Sequence, residues 1–414
     1  MEIFNITPKT FSGEIIAPPA KSFAHRILIC AFLSNKEITV RNIGDSVDVF
    51  ATLSALQTMG AQVEKIDGGV KIKKTQISSD KLIINCFESG STLRFLLPVA
   101  CALGLKAEFT GKGKLLERPV KELVDVLNRN GAKISGLLVD GKLSCGVYEI
   151  AGNISSQYIT GLMLALSVID GESEIIIKGE TVSQPYIDIT LSVLNDFGVK
   201  VTKTENGYKI VGGYNPKTND ITVEGDWSGS AFPLSLGAIN GNVTVSGLNL
   251  SSVQGDRKII DILKSFGATV IENGDKVTVK KSNLKGIETN VENVPDLSQV
   301  IAVLGAYASG ETKLYGVERL KLKESDRIQA ILSTLSVAGI KSTYDGEKIT
   351  VYGGKVRGGE FDGGKDHRTV MSAVVLASGA ENGSKIIDAK YYEKSYPTFV
   401  SDYKKLGGEI DVEI

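Results

Sequence analysis

The sequence predicts an α/β protein of two similar domains, each built from three βαβαββ units, and three observations carry that prediction. First, a helix-like stretch that closes on glycine and leads into a strand recurs six times, with Gly60, Gly131, Gly198, Gly267, Gly339 and Gly407 spaced about 69 residues apart. Glycine suits that place because the residue after a helix C-terminus often takes the left-handed backbone conformation that other residues adopt only at a cost. Second, candidate helix starts at Ser22, Ser89, Ser155, Asp226, Asp296 and Asp366 keep the same period, so each unit holds two helices. Third, short β-branched runs bounded by turn residues lie between them, among them Glu174–Lys178 and Asn242–Ser246. A repeat this long exceeds those of the common solenoids and suits small α/β units sharing a core, three to a domain.

Composition narrows the class. The chain has 414 residues, 42% of them hydrophobic and 23% charged, with a formal net charge of −1. That balance excludes a disordered chain and gives no global attraction to nucleic acid or an anionic membrane, so anion binding must come from local placement. The cysteines Cys30, Cys86, Cys101 and Cys145 stand in apolar segments without metal-ligand spacing. They are expected to be reduced, buried thiols, without zinc or a disulfide frame. The longest apolar runs are too short to span a bilayer and no secretory leader is visible, so a cytoplasmic protein is expected.

In chain order, the first unit opens on Pro18-Pro19, after which Ile27–Leu33 is apolar enough to be a buried helix with Lys21 and Ser22 at its start. A helix N-terminus carries roughly half a positive charge and exposes backbone N–H groups, and Lys21 and Arg26 add to it, so a phosphate or carboxylate is the expected visitor. The second unit repeats the device with Ser89-Gly90-Ser91-Thr92-Leu93-Arg94, then sets Glu117-Arg118-Pro119 before another helix. Gly111–Lys114 lacks phosphate-loop spacing and is set aside. The third unit begins with Ser155-Ser156-Gln157, and half of the repeats end near Gly225. The fourth starts at Asp226-Trp227-Ser228 and the fifth at Pro295-Asp296, followed by the charged run Lys321–Arg327. The sixth opens on Asp366-His367-Arg368. Caps alone account for Ser and Asp at these places, and Asp296 taken alone reads as a cap. They do not account for Lys21, Arg94, Gln157 or Arg368 just inside them. Helix starts at equivalent ends of two domains face a common cleft, which makes an anion trap. The segment before Pro18 has no unit of its own and is expected to pair with the far domain.

Lys-Ser-x-x-x-Arg, Ser-Gly-Ser-x-x-Arg, Glu-Arg-Pro, Ser-Ser-Gln, Ser-x-Pro-Tyr, Pro-Asp, Lys-Glu-Ser-Asp-Arg, Asp-His-Arg and Lys-Ser-Tyr-Pro follow one another along essentially the whole chain. In this order they closely resemble the 5-enolpyruvylshikimate-3-phosphate synthase family of enolpyruvyl transferases. The resemblance implies an inside-out α/β barrel arrangement in each domain and an active site in the interdomain cleft. The domains would be residues 19–224, and 1–18 with 225–414. The implied reaction moves the enolpyruvyl group of phosphoenolpyruvate onto the 5-hydroxyl of shikimate 3-phosphate, in the shikimate pathway to chorismate and the aromatic amino acids.

The resemblance also implies the site residues. Lys21, Ser22, Arg26, Ser155, Ser156, Gln157, Ser183, Tyr186, Asp296 and Lys323 match positions that hold shikimate 3-phosphate. Lys21, Gly90, Arg94, Arg118, Gln157, Arg327, Arg368 and Lys394 match those around phosphoenolpyruvate. Hydroxyls and an amide suit a polyol phosphate, whereas a compact trianion needs guanidinium and ammonium groups. Asp296 and Glu324 match the proton-transfer pair, with Lys21 stabilising charge. His367 and Asp226 match polar lining positions without a catalytic role. No cofactor or metal is implied; glyphosate is the implied inhibitor and a monomer the implied state.

Two departures stand out: Glu88 replaces the Asn of many members, and Arg319 replaces an Asn seen in some, so no substrate contact is assigned to it. The rivals are UDP-N-acetylglucosamine enolpyruvyl transferase, whose first motif reads Lys-Asn, and a non-catalytic repeat protein that binds phosphorylated metabolites. The second would leave Asp296 and Glu324 without a purpose.

Overall fold

A computed structural model of the chain describes residues 2–76 and 81–413. It divides into two compact units, Met1–Ala20 with Glu224–Ile414, and Lys21–Val223. The changes fall at Ala20/Lys21 and Val223/Glu224, against 18/19 and 224/225 from the sequence.

Six four-stranded sheets are present among the described residues, three in each unit, and all share one pattern. A parallel pair is extended by an antiparallel pair, which is a hairpin in five of the sheets. In the second repeat, Leu82–Asn85 runs parallel to Ala107–Thr110, which pairs antiparallel with Leu138–Gly141 and through it with Ala132–Ser135. Strand alternation explains the pattern. Lys276–Lys280, Lys-Val-Thr-Val-Lys, buries its two valines and exposes its lysines, so one sheet face turns to the core and one to water.

The first helix of each repeat is rich in apolar residues and is buried over nearly its whole length. Trp227–Asn240, Ser298–Tyr307 and His367–Ser378 pack against one another in one unit, and Gly90–Ala102 packs on Ser156–Leu166 in the other. The second helices are Val47–Thr58, Lys121–Arg129, Gln184–Asp196, Ile259–Ser265, Arg327–Val337 and Phe399–Lys405. The six repeat glycines follow these helices, and all have positive φ, from 71° at Gly198 to 103° at Gly131. The fold is thus α/β with helices inside and sheets outside.

The repeats are permuted at the chain's crossings. The sheet of the first repeat takes its parallel edge strand from Asp220–Thr222, which pairs with Ile38–Arg41, and Arg41 grips Asp220 with Nη2–Oδ2 at 2.7 Å. In the other unit, Phe11–Ile16 pairs with Gly241–Ser246, and Ile3–Thr7 lies between Ser384–Ile387 and Glu409–Glu413.

Three local expectations are corrected. The first helix begins at Lys21, one residue before Ser22. Asp296 is not at a helix cap position: it sits inside a 3-10 turn, Pro295–Leu297, that runs into the helix from Ser298, and its carboxylate faces arginines. Cys145 is exposed, just before the exposed start of the strand Val147–Ala151, while Cys30, Cys86 and Cys101 are buried free thiols. Among the described residues no helix is long and apolar enough to cross a membrane.

Candidate active site

In the unit containing residues 224–414 the site grows around Arg327. Asp326 caps the helix Arg327–Val337 by accepting from the backbone N–H groups of Ile328 and Gln329, which makes Arg327 its first residue and turns the side chain inward, where it is 1% exposed. Its planar guanidinium then serves three carboxylates. Nη1 donates to Asp296 Oδ1 at 2.7 Å, Nη2 to Glu324 Oε2 at 2.9 Å and Nε to Asp366 Oδ2 at 2.9 Å. Asp366 works twice, since its Oδ1 also caps the helix His367–Ser378 by accepting from Arg368 N at 2.9 Å. Arg368, one residue inside that helix, donates from Nη2 to Asp296 Oδ2 at 3.1 Å and from Nη1 to the Asp296 carbonyl at 3.2 Å. Lys323 Nζ stands 3.9 Å from Asp296 Oδ1.

These contacts set the charge states. Burial pushes the Asp296 carboxyl up, but Arg368, Lys323 and Arg327 together outweigh it and hold the group well below the usual carboxylate range. Burial pulls Lys323 down to about 8 despite Asp296. Asp296 and Glu324 keep 19% and 18% of their side-chain surface open, so a ligand reaches both carboxylates while the arginine behind them is covered. Lys394 ends the 3-10 turn Ala389–Lys394 and is buried.

The other unit supplies a second cluster. Lys21 Nζ lies 2.7 Å from Asp48 Oδ2, in the first turn of Val47–Thr58. Arg26 is buried, stacked with its guanidinium carbon 4.9 Å from the Phe95 ring centre, and donates to the carbonyls of Ser22 at 2.6 Å and Tyr186 at 3.0 Å and to Thr190 Oγ1 at 2.8 Å. It therefore braces the backbone of two other candidate residues. Ser183 leads into the helix Gln184–Asp196 in the left-handed conformation, φ 55°, unusual for a serine.

Arg94 is also a brace. It donates to Gln157 Oε1 at 2.7 Å and to the Pro119 carbonyl at 3.0 Å, tying the helix start Ser155–Gln157 to the loop that carries Arg118. Gln157 Nε2 donates to Ser91 Oγ at 3.0 Å, and Ser155 Oγ caps the helix from Ser156 by accepting from Gln157 N. Gly90 opens its helix with Arg118 beside it: a Cβ there would stand 2.6 Å from Arg118 Nη1.

The structure thus brings Asp296, Lys323, Glu324, Arg327 and Arg368 together in one unit. In the other it links Ser22, Arg26 and Tyr186, and Gly90, Arg94, Arg118 and Gln157. Sequence reasoning missed Asp48, Ser228, Asp256 and the second task of Asp366. Asp48 and Asp366 lie in helix first turns or caps, where a carboxylate is explained without a partner, so the signal was masked. Among the described residues no group of three or more His, Cys, Asp or Glu side chains is arranged to hold a metal ion.

Comparison with known proteins gives the family. The family model described as EPSP synthase (3-phosphoshikimate 1-carboxyvinyltransferase) matches residues 6–403. The chain is 38% identical to the 3-phosphoshikimate 1-carboxyvinyltransferase of Clostridium kluyveri over 421 residues, 99% of each chain, and 38% identical to that of Clostridium novyi over 433 residues, again 99% of each. Among solved structures, EPSP synthase from Acinetobacter baumannii superposes with a TM-score of 0.85 at 26% identity, covering 100% of both chains. The enolpyruvyl transferase NikO from Streptomyces tendae shares the fold, with a TM-score of 0.80 at 18% identity over 99% of this chain and 98% of that one. With a site built around two carboxylates and clustered cations, and with matches of this extent, the chain belongs to the EPSP synthase (3-phosphoshikimate 1-carboxyvinyltransferase) family.

Proposed function

We propose that this transferase moves the enolpyruvyl group of phosphoenolpyruvate to the 5-hydroxyl of shikimate 3-phosphate, releasing phosphate. The single observation that carries the mechanism is the Arg327 fork, which presents Asp296 and Glu324 side by side, each partly open. The family match and the names of the relatives support the substrates.

Asp296 takes the 5-hydroxyl proton as that oxygen attacks C2 of phosphoenolpyruvate, while Glu324 delivers a proton to C3 and turns the methylene into a methyl group. The C2–O bond to phosphate then breaks. Glu324 takes back a methyl proton to restore the double bond, and the proton on Asp296 leaves with phosphate. Lys21, Arg118, Arg368 and Lys394 receive the phosphoenolpyruvate anion, with Arg327 behind the two carboxylates adding its charge to the pocket, Gly90 leaving room for the anion, Gln157 adding an amide and Arg94 fixing Gln157. Ser22, Ser155, Ser156, Ser183, Tyr186, Arg26 and Lys323 receive shikimate 3-phosphate. Arg368 and Lys323, two of the cations that hold Asp296 low, are engaged by the substrate anions. Bound anions therefore offset part of that field and raise the carboxyl, which makes it a better base once both substrates are present.

Glyphosate, a compact phosphonate anion, competes for the same cations. The protein acts as a monomer, and it acts in the cytoplasm, a compartment supported by the buried free thiols at Cys30, Cys86 and Cys101. The test of function is release of inorganic phosphate on mixing the protein with both substrates. Turnover is expected with shikimate 3-phosphate and none with UDP-N-acetylglucosamine in its place. The reverse preference, or binding without turnover, would overturn the reading.

A further inference from the structure

The loop Ser252-Val253-Gln254-Gly255-Asp256 has no part in the chemistry above, yet it is built against the chain that enters the helix Trp227–Asn240. Gln254 and Asp256 are each 5% exposed. Gln254 Oε1 accepts from Trp227 N at 3.1 Å, and its Nε2 donates to the Gly225 carbonyl at 2.8 Å and to Glu224 Oε1 at 2.6 Å. The backbone from Glu224 to Trp227 is thereby locked, and Ser228 follows it. Asp226 caps the same helix by accepting from Ser228 N.

From there a relay runs to the candidate active site. Ser228 Oγ donates to Asp256 Oδ2 and accepts from Arg368 Nη2 at 2.7 Å. The same Arg368 nitrogen reaches Asp296 Oδ2. A serine hydroxyl has one proton to give. By taking it, Asp256 leaves the serine lone pairs turned to the guanidinium. We propose that Asp256 is a positioning residue for phosphoenolpyruvate: acting through the Ser228 hydroxyl, it fixes the Arg368 guanidinium in the orientation that serves the incoming anion and Asp296 together. The inference rests on the reading of Arg368 as a phosphoenolpyruvate contact.

Stability gives Asp256 no comparable reason to be there. Its other oxygen, Oδ1, is buried without a hydrogen-bond partner among the described residues. Burial, and after it the negative Asp296, push the carboxyl up to about 7, so its ionised form is a strain on the fold near neutrality that an uncharged residue would relieve.

The test compares Asp256→Ala, Asp256→Asn, Ser228→Ala and the double Ala variant in the full chain. Phosphoenolpyruvate affinity is read by calorimetry in the absence of shikimate 3-phosphate, so that no turnover occurs, with kcat and both KM values from phosphate release. Asp256→Ala is expected to weaken phosphoenolpyruvate about tenfold, in Kd and KM alike, with kcat and the KM for shikimate 3-phosphate within about threefold. Asp256→Asn, whose carbonyl oxygen accepts the same hydrogen bond, is expected to restore affinity to within about threefold. The double variant should be no weaker than Ser228→Ala alone, because one relay is lost once. Unchanged affinity in folded Asp256→Ala, an Asn variant as weak as Ala, or additive losses would each overturn the proposal. Should Asp256→Ala not fold, unchanged affinity in Ser228→Ala overturns it equally. Calorimetry needs no turnover, so failure of the transfer reaction and failure of this inference are read separately.

Discussion

Asp296 and Glu324 hang on two nitrogens of one guanidinium, so an amide at either place keeps an oxygen to accept from Arg327 while losing the group that moves a proton. Asp296→Asn and Glu324→Gln are each expected to lower kcat by roughly 10²- to 10⁴-fold and leave the KM for shikimate 3-phosphate within several-fold. Steady-state kinetics check this, and near-normal turnover in either variant removes that residue from the mechanism. Lys323 carries a pH signature. Burial lowers its ammonium to about 8, so its charge is complete below that pH and is lost as pH rises through it. The value of kcat/KM for shikimate 3-phosphate should therefore fall above about pH 8. In Lys323→Arg, which stays charged throughout that range, the decline should disappear even if the absolute rate is lower. An unchanged alkaline limb in the Arg variant would assign the decline to another group.

At the scale of elements, helix starts place nearly every functional group, and their caps carry part of the stability. Asp366 is fully buried and joins the cap of His367–Ser378 to Arg327 and Ser325. Asp366→Ala removes the cap and leaves the buried guanidinium short of a partner, a loss of about 3–5 kcal/mol by analogy with other broken buried pairs. Denaturant unfolding measures it, and a change below about 1 kcal/mol would show that the pair contributes little. Gly90→Ala sets a methyl carbon 2.6 Å from Arg118 Nη1, so the flexible guanidinium must move. The KM for phosphoenolpyruvate should rise about tenfold, with glyphosate weakened more and the shikimate side little affected. Equal losses for both substrates would indicate damage to the fold.

These elements were legible in the sequence to different degrees, for physical reasons. The six glycines and the caps at Ser89, Ser155, Asp226 and Asp366 were readable because their chemistry is local: a left-handed residue, or an oxygen two or three positions from the N–H it accepts. Asp296 misled because a carboxylate before an apolar run reads as a cap, and only the fold brings Arg327 and Arg368 to it. The Asp220–Thr222 strand had no local signature, since its partner Ile38–Arg41 lies about 180 residues away. Asp256 stayed hidden because its carboxylate accepts from Ser228, in a different segment of the repeat.

For the whole molecule, the candidate residues are spread over the repeats of both units. Lys21, Gly90, Arg118 and Gln157 belong to Lys21–Val223, whereas Asp296, Glu324, Arg327, Arg368 and Lys394 belong to the unit with Glu224–Ile414. The central claim is that these residues perform an addition and elimination in which a carboxylate protonates C3 of phosphoenolpyruvate. Turnover in deuterium oxide tests it most directly, with the product examined by nuclear magnetic resonance. Passage through a methyl group that has gained one solvent deuteron predicts deuterium in the vinyl methylene of the product. Phosphate released with a product methylene free of deuterium would contradict the account.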